Sequence, residues 1–343
     1  MRALKSVVLL ATVFSSCLFV CAQDEETKAV KPQDDSIHSS SIFADNKELY
    51  KLCSLYCYAT RHEDGENQLK KDGWDIKNVT WDKTFKEILS EIKSDPAWKN
   101  CLKATPLSQQ IKKTKDNELI SLYDNYEKNL NETIDLKQHY GFVLGKKKVD
   151  NRDVYVMAFR GTDDLYSWIF TDFVAAKTKF LDTNTYVHMG FEKNRQACMK
   201  TPELRDFLDD FKKELDKGEN PLLIITGHSL GGAVAVLESA YLVQKEKVSY
   251  KNIKLITSGE ATPGKESFVK HFAALDYTTF INTVDLIPYI LVKKIFNYRR
   301  LKGNVFYFTD KKGNIADHHL IETYKNNIDK GNYELGNNNP TSL

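Results

Sequence analysis

One serine in the sequence has the surroundings of a catalytic nucleophile. Gly227-His228-Ser229-Leu230-Gly231 is a G-x-S-x-G motif, preceded by the apolar run 222–226 and followed by a helical pattern. This strand–turn–helix setting predicts a tight turn that holds the Ser229 hydroxyl at a helix N-terminus, where developing negative charge is stabilised. A glycine-rich turn capped by a serine is the structural alternative. Because both flanking elements are of the correct type, we interpret Ser229 as the nucleophile of an acyl-transfer reaction.

The serine needs a general base, because its alkoxide is otherwise inaccessible near neutral pH. The histidines that follow Ser229 are His271, His318 and His319. His271 lies inside a predicted helix beside a phenylalanine, so we interpret it as a packing or solvated residue. The other two lie in a loop just before the last predicted helix, where a base is expected. We favour His319, immediately before that helix, and keep His318 as the alternative.

An acid that orients the base should lie between the serine and the histidine in the chain. Asp285 directly follows a predicted strand and therefore falls at the carboxyl edge of a parallel sheet, where active sites form. Asp276 precedes the same strand and falls at the opposite edge, while Asp310 and Asp317 are late and polar-flanked. We select Asp285, whose structural alternative is a helix-cap or turn aspartate.

Two backbone N–H groups should stabilise the oxyanion of such a reaction. The residue after the nucleophile, Leu230, supplies one, and Thr162, in the loop after an earlier predicted strand, is our candidate for the other. The segment behind Thr162 is short, helical in pattern and unusually apolar. We interpret it as a lid that covers the site and meets a lipid surface; a core-facing helix with no gating role is the alternative. The lid residues are Leu165, Trp168, Ile169 and Phe173.

Alternating strands and helices must position these residues. Strands are predicted at 140–144, 154–159, 222–226, 253–257, 277–284 and 305–308, and helices at 46–60, 195–217, 229–245, 264–274 and 319–328. The alternation predicts an α/β protein with a mostly parallel sheet and helices on both faces. The charged stretch 61–138 reads as a mostly helical insertion, including a helix over 81–92, and the Asn-rich tail 331–343 reads as frayed.

The composition of the 343 residues excludes several classes of protein. With 49 basic and 47 acidic residues, the chain lacks the basic field of a nucleic-acid-binding protein. Its first 22 residues combine Arg2 and Lys5 with an apolar run and small residues before position 23, which predicts a secretory signal peptide. A membrane anchor is one alternative, and a bacterial lipoprotein lipidated at Cys17 or Cys21 is a weaker one. Removal of 1–22 leaves 47 basic and 47 acidic residues. The polar residues 23–45 are predicted to be a loose leader.

Export makes disulfides plausible in the mature chain. Its cysteines are Cys53, Cys57, Cys101 and Cys198. Cys53 and Cys57 have the i,i+4 spacing of neighbouring helical turns, so we expect each to pair with a distant partner, Cys101 or Cys198, in an arrangement the sequence does not determine. A zinc site is the rival interpretation, but the single close pair has the wrong spacing.

Four motifs occur in order along the chain: Phe159-Arg160-Gly161-Thr162, Val187-His188-Met189-Gly190-Phe191, Gly227-His228-Ser229-Leu230-Gly231-Gly232-Ala233 and Asp285-Leu286-Ile287-Pro288. Together they resemble the class 3 lipases, the fungal-type triacylglycerol lipases of the α/β-hydrolase fold. The resemblance spans about 140–326 and implies Ser229, Asp285 and His319 as the triad, with Thr162 and Leu230 as oxyanion donors and no cofactor or metal. It also favours His319 over His318 through the His319–Tyr324 spacing. A departure follows at 258–264, where Glu260 stands in place of the family's glutamine.

The sequence thus predicts a secreted serine ester hydrolase with a single domain over 46–330. The expected substrate is a lipid ester at an interface, with acylglycerols first; a phospholipase of the A1 type and an esterase for soluble esters are alternatives. A more remote alternative is a non-catalytic binding protein on a hydrolase scaffold.

Overall fold

The computed structural model describes residues 46–84, 87, 90, 137–161, 177–285, 287–290, 297–314 and 317–336. The predicted signal peptide 1–22 and leader 23–45 lie outside these ranges, as do most of 61–138 and the predicted lid. Among the described residues, no helix is both long and apolar enough to cross a membrane. Within the same ranges, no cluster of three or more histidine, cysteine, aspartate or glutamate side chains is placed to hold a metal ion.

A mixed β-sheet organises the described part of the chain. The strands in chain order are β1 (Asp75–Thr84), β2 (Lys137–Val149), β3 (Arg152–Phe159), β4 (Lys177–Lys179), β5 (Tyr186–His188), β6 (Leu222–His228), β7 (Ile253–Ser258), β8 (Tyr277–Asn282), β9 (Asn304–Phe308) and β10 (Glu334–Leu335). The order across the sheet is β1-β2-β3-β6-β7-β8-β9-β10. The five central strands β3, β6, β7, β8 and β9 are parallel to one another, whereas β1 and β2 at one edge and β10 at the other pair antiparallel with their neighbours. β4 and β5 form a separate antiparallel pair.

Helices cover both faces of this sheet. They are α1 (Asn46–Ala59), α2 (Glu63–Lys71), α3 (Met189–Met199), α4 (Pro202–Asp216), α5 (Leu230–Gln244), α6 (Glu266–His271), α7 (Ile287–Ile290) and α8 (Ile321–Lys330). Along β6, Leu223 and Ile225 enter the core beneath α3, α4 and α5, while Ile224 enters the core beneath α1 and α8. Since both faces are covered, every residue of β6 is buried. The predicted α/β class, mostly parallel with helices on both faces, is confirmed.

The stretch 61–138 is not mostly helical where the structure describes it. α2 is a helix, but 75–84 form β1, which pairs along its whole length with β2 at the sheet edge. The helix predicted over 81–92 is therefore wrong for residues 81–84. Trp81 stacks on Tyr140 of β2, with ring centroids 5.8 Å apart. The apolar residues that suggested this helix, Phe85, Ile88, Leu89 and Ile92, all follow the strand in the sequence.

Two other boundaries differ from the expectation. The helix predicted over 195–217 is two helices, α3 and α4, because the chain turns at 200–201 and Pro202 begins a new helix at its first turn. The tail 331–343 was expected to be frayed, but Glu334 and Leu335 form β10 and pair with Tyr307 and Phe306 of β9. Residues 337–343 lie outside the described ranges.

The expected pairing of Cys53 and Cys57 with distant cysteines is wrong. Both are free, buried thiols on α1. The Cys57 sulfur lies 3.3 Å from the Thr226 hydroxyl of β6, and burial raises the pKa of Cys57 to about 12. Cys198 is buried in α3, and Cys101 lies outside the described residues. The two α1 cysteines therefore act as small apolar residues in the core beneath that helix.

Candidate active site

Ser229 lies in a strained turn between β6 and α5. Its φ of 60° and ψ of −127° are unfavourable for a residue with a side chain, and its N–H donates to the Ser258 carbonyl at 3.0 Å. A Cβ on Gly227 would lie 2.2 Å from the Gly231 oxygen, and one on Gly231 would lie 2.1 Å from a carbonyl oxygen of β3. Both glycines are therefore sterically required. The turn matches the setting that the sequence predicts for a nucleophile.

Asp285 and His319 form a close hydrogen-bonded pair at the carboxyl edge of the sheet. Asp285, 1% exposed, follows β8, and its Oδ2 lies 2.6 Å from His319 Nδ1. The same oxygen accepts the Tyr324 hydroxyl at 2.7 Å, and Oδ1 accepts the Ile287 N–H at 3.0 Å. The remaining nitrogen, His319 Nε2, and the Ser229 hydroxyl oxygen are buried and have no hydrogen bond to any described residue. Neither of the two atoms between which a proton would move is therefore engaged in a hydrogen bond with a described residue.

The loop before α8 distinguishes the two candidate histidines. Asn282, at the end of β8, donates its side-chain amide to the His318 carbonyl at 3.1 Å and accepts the Asp310 N–H at 3.0 Å. These bonds tie the loop to the strand that precedes Asp285. His318 contributes its backbone to this arrangement, whereas His319 contributes its imidazole to Asp285. Of the two histidines, the structure places His319 in contact with the predicted acid.

His228 and Arg61 also approach the site, and the sequence reasoning did not single them out. The His228 ring lies 4.8 Å from that of His319 and 5.1 Å from that of Tyr324, measured between centroids. Burial holds the pKa of His228 well below its usual value, and the nearby His319 and Arg61 lower it further. His228 is therefore a neutral ring packed behind the base. Its position next to Ser229 in the G-H-S-L-G motif is the sequence signal that could have identified it.

The predicted oxyanion donors are placed only in part. Leu230 begins α5, and the first N–H groups of a helix lack intrahelical acceptors. On the other side, a Cβ on Gly161 would lie 3.2 Å from Ser229 Cβ and 2.9 Å from the His228 carbonyl oxygen, so the chain passes directly beside the nucleophile. The residues after Gly161 lie outside the described ranges. They include Thr162 and the predicted lid residues Leu165, Trp168, Ile169 and Phe173.

Glu260, the departure noted after β7, is buried rather than exposed in the site. Its carboxylate accepts the hydroxyl groups of Thr257 and Tyr277, and Arg300 Nε lies 3.6 Å away. Burial raises the pKa of Glu260, while Arg300 and the two hydroxyl donors act in the opposite direction. The glutamate therefore joins β7, β8 and the segment around Arg300 beneath the site.

Known proteins resemble part of this chain. Residues 156–294 match the family model described as Lipase (class 3). Over 145 residues the chain is 28% identical to a lipase of Rhizomucor miehei, a match that covers 41% of this chain and 38% of that protein. A chloroplastic phospholipase A1 of Arabidopsis thaliana is 29% identical over 112 residues, 32% of this chain and 16% of its own. A solved Rhizomucor miehei lipase propeptide complex aligns at 19% identity with a TM-score of 0.48, covering 89% of this chain and 82% of that one.

The family match includes both Ser229 and Asp285, and His319 lies beyond its end. The matched part spans about two fifths of the length of the curated fungal lipases, 38% and 37% for those of Rhizomucor miehei and Rhizopus niveus. The resemblance inferred from the ordered motifs is confirmed. Residues 156–294 are therefore similar to the class 3 lipase family.

Proposed function

We propose that the protein is a secreted serine hydrolase that cleaves carboxylic esters of lipids. The observation that carries this proposal is the 2.6 Å contact between His319 Nδ1 and Asp285 Oδ2, at the same sheet edge as the strained Ser229 turn. A serine in such a turn, together with a histidine oriented by a buried carboxylate, is suited to nucleophilic acyl transfer.

The chemistry proceeds through an acyl-enzyme. Because Nδ1 of His319 is bonded to Asp285, Nε2 is the nitrogen that accepts the Ser229 proton as the hydroxyl attacks the ester carbonyl. The oxyanion of the tetrahedral intermediate rests on the N–H groups of Leu230 and Thr162. Protonated His319 then donates its proton to the departing alcohol, and water repeats the sequence to release the acid. Asp285 holds the imidazole in the required tautomer and stabilises its charged form.

Ser229→Ala tests this proposal directly. We expect the variant to fold, to lose hydrolysis of p-nitrophenyl butyrate by a factor of at least about 10⁴, and to escape labelling by a fluorophosphonate probe. Ser239→Ala is the matched control, since Ser239 is a buried serine of α5 that donates to the Ala235 carbonyl and lies away from the turn. Unchanged turnover in Ser229→Ala would remove this residue from the mechanism. A wild-type protein that does not react with the probe would favour a non-catalytic binding role.

Acylglycerols are the proposed substrate class, supported by the match to fungal lipases. Phospholipids are the second candidate, supported by the match to a phospholipase A1. A panel of triacylglycerol, diacylglycerol and phosphatidylcholine emulsions separates the two through the products released. If the lid interpretation is correct, the rate rises sharply once the substrate exceeds its solubility limit; smooth saturation through that point would indicate an esterase for soluble esters.

A further inference from the structure

The pair β4–β5 extends through backbone hydrogen bonds into two further segments. His188 N–H donates to the Pro263 carbonyl at 2.8 Å, and Lys265 N–H donates to the Tyr186 carbonyl at 2.9 Å. On the far side of that segment, Arg299 N–H donates to the Gly264 carbonyl at 2.7 Å. Four antiparallel segments therefore lie side by side in the described part of the chain.

Their register places lysines and tyrosines alternately on one face. Lys179 is opposite Tyr186. Val187 is opposite Gly264, so Tyr186 adjoins Lys265; Gly264 is opposite Arg299, so Lys265 adjoins Tyr298. Because opposed residues of antiparallel strands share a face, the row is Lys179, Tyr186, Lys265 and Tyr298, with Lys177 two residues from Lys179. We call these five residues the basic–aromatic face.

The contacts within this face hold the cations over aromatic rings. Lys265 Nζ lies 3.8 Å from the centroid of the buried Tyr298 ring, and Lys177 Nζ lies 4.9 Å from that of the half-buried Tyr186. Lys177 and Lys179 are exposed and Lys265 is partly exposed. Positive charge is concentrated here although the whole chain carries only +2.

The charges of this region repel one another. The pKa of Lys265 is lowered to about 8, mainly by burial and further by the positive charges of Lys177 and Arg299. Glu266, the next residue along the chain, is paired with Lys270 at 2.6 Å.

The face is connected at two points to the candidate active site. β4 follows directly on 162–176, the segment that begins beside Gly161 and Ser229. The segment that carries Lys265 begins at Gly259, where a Cβ would lie 3.1 Å from His228 Nε2. Both connections start from the carboxyl edge of the sheet, where Ser229 and Asp285 lie.

We propose that the basic–aromatic face docks the protein on a phospholipid surface that carries anionic headgroups. This inference rests on the proposed function, because a lipid occupant is favoured by continuity with a lipid-ester site. Lysines close to an anionic leaflet are attracted to its headgroups, and the half-buried Tyr186 ring is suited to the boundary between headgroups and acyl chains. The attraction is local and electrostatic, and it falls as salt is added.

The test measures vesicle binding and hydrolysis separately. The face variant combines Lys177→Gln, Lys179→Gln and Lys265→Gln. The control variant combines Lys148→Gln, Lys217→Gln and Lys251→Gln, which remove the same charge from exposed positions at the amino end of the parallel strands. Co-sedimentation is measured with vesicles of phosphatidylcholine alone and of phosphatidylcholine mixed with phosphatidylglycerol, and p-nitrophenyl butyrate hydrolysis is followed in parallel.

We expect wild type to prefer the anionic vesicles and the face variant to bind them roughly a hundredfold more weakly, about fivefold for each charge removed. The control should bind within about threefold of wild type, and all three proteins should hydrolyse the soluble ester equally. Equal losses in the two variants, or equal wild-type binding to neutral vesicles, would overturn the proposal. Hydrolysis that is absent in wild type would instead overturn the proposed function. The double variant Lys177→Gln/Lys179→Gln and the charge-conserving Lys265→Arg keep the test valid if the triple variant does not fold.

Discussion

Two buried carboxylates, Asp285 after β8 and Glu238 within α5, have very different surroundings. Asp285, 1% exposed, accepts hydrogen bonds from His319, Tyr324 and the Ile287 backbone. Glu238, fully buried between α5 and α3, accepts one at 3.2 Å from Arg195, and its Oε1 has no hydrogen bond to a described residue. The two carboxylates are therefore similarly buried, but Asp285 accepts more hydrogen bonds than Glu238.

The difference follows from how the donors are shared. Arg195 directs its Nε and Nη2 to Glu192, both at 2.8 Å, and gives Glu238 only Nη1. Burial raises the pKa of Glu238 to about 7, against the opposing effect of Arg195. Asp285 has a dedicated set of donors, and one of them is the imidazole of His319. A buried carboxylate is thus prepared for chemistry by the groups around it, and burial alone leaves it a structural charge.

Asp285→Asn should have the largest effect on activity. The amide cannot stabilise an imidazolium and can hold the wrong tautomer, so we expect kcat for p-nitrophenyl butyrate to fall by about 10⁴ while the fold is retained. The paired variant Glu238→Gln should leave kcat within about twofold. Steady-state kinetics on both proteins, with circular dichroism as the folding control, measure the contrast. Similar losses in the two variants would show that the comparison between the carboxylates is incorrect.

Glu238→Gln should instead change the pH dependence of stability. In the folded protein the pKa of the Glu238 carboxyl is about 7, above its ordinary value of 4.5. As the pH rises, this carboxyl therefore ionises in the unfolded chain before it ionises in the folded one. Wild-type stability attributable to Glu238 is therefore full below pH 4.5 and is lost as the pH rises towards 7, by up to about 3 kcal/mol. The neutral variant should lack this decline and be more stable than wild type at and above pH 7.

Urea unfolding across this pH interval measures the effect. Glu214→Gln is the matched control, because Glu214 is paired with Lys217 on the solvent side of α4 and should change stability by only about 0.5 kcal/mol at every pH. A Glu238→Gln curve that runs parallel to wild type from pH 4.5 to 7 would mean that Glu238 is already ionised across that range.

The turn at Ser229 was more predictable than its support. A tight strand–turn–helix connection needs particular glycines within a few residues, which is local information. The proximity of Asp285 and His319 was expected because active sites form at the edge where the carboxyl ends of parallel strands meet. Asn282 and the packing of His228 depend on contacts between segments far apart in the chain, and no local pattern encodes them.

The fold shows the same division. Strands buried on both faces, such as β6, were identified from their continuous apolar character. β1 was missed because it is an edge strand with polar residues such as Asn78 and Asp82 on exposed positions, so pairing with β2 decides its conformation. The cysteines were misjudged for a related reason. Their even number suggested pairing, but packing of α1 against β6 keeps Cys53 and Cys57 as thiols in the core.

Tyr324→Phe should produce the smallest effect and gives the sharpest test of the donor argument. The change removes the 2.7 Å bond to Asp285 and the acceptor of the Asn282 N–H, but leaves the ring against His228. A hydrogen bond to a charged group is worth about 1.5–3 kcal/mol, so we expect kcat/KM to fall roughly tenfold with KM nearly unchanged. Tyr56→Phe is the control, because the buried Tyr56 hydroxyl bonds to no described residue. If both variants retain wild-type kcat, the hydrogen bond from Tyr324 to Asp285 contributes to the fold and not to catalysis. In that case Asp285 and Glu238 differ less in function than their hydrogen bonds indicate.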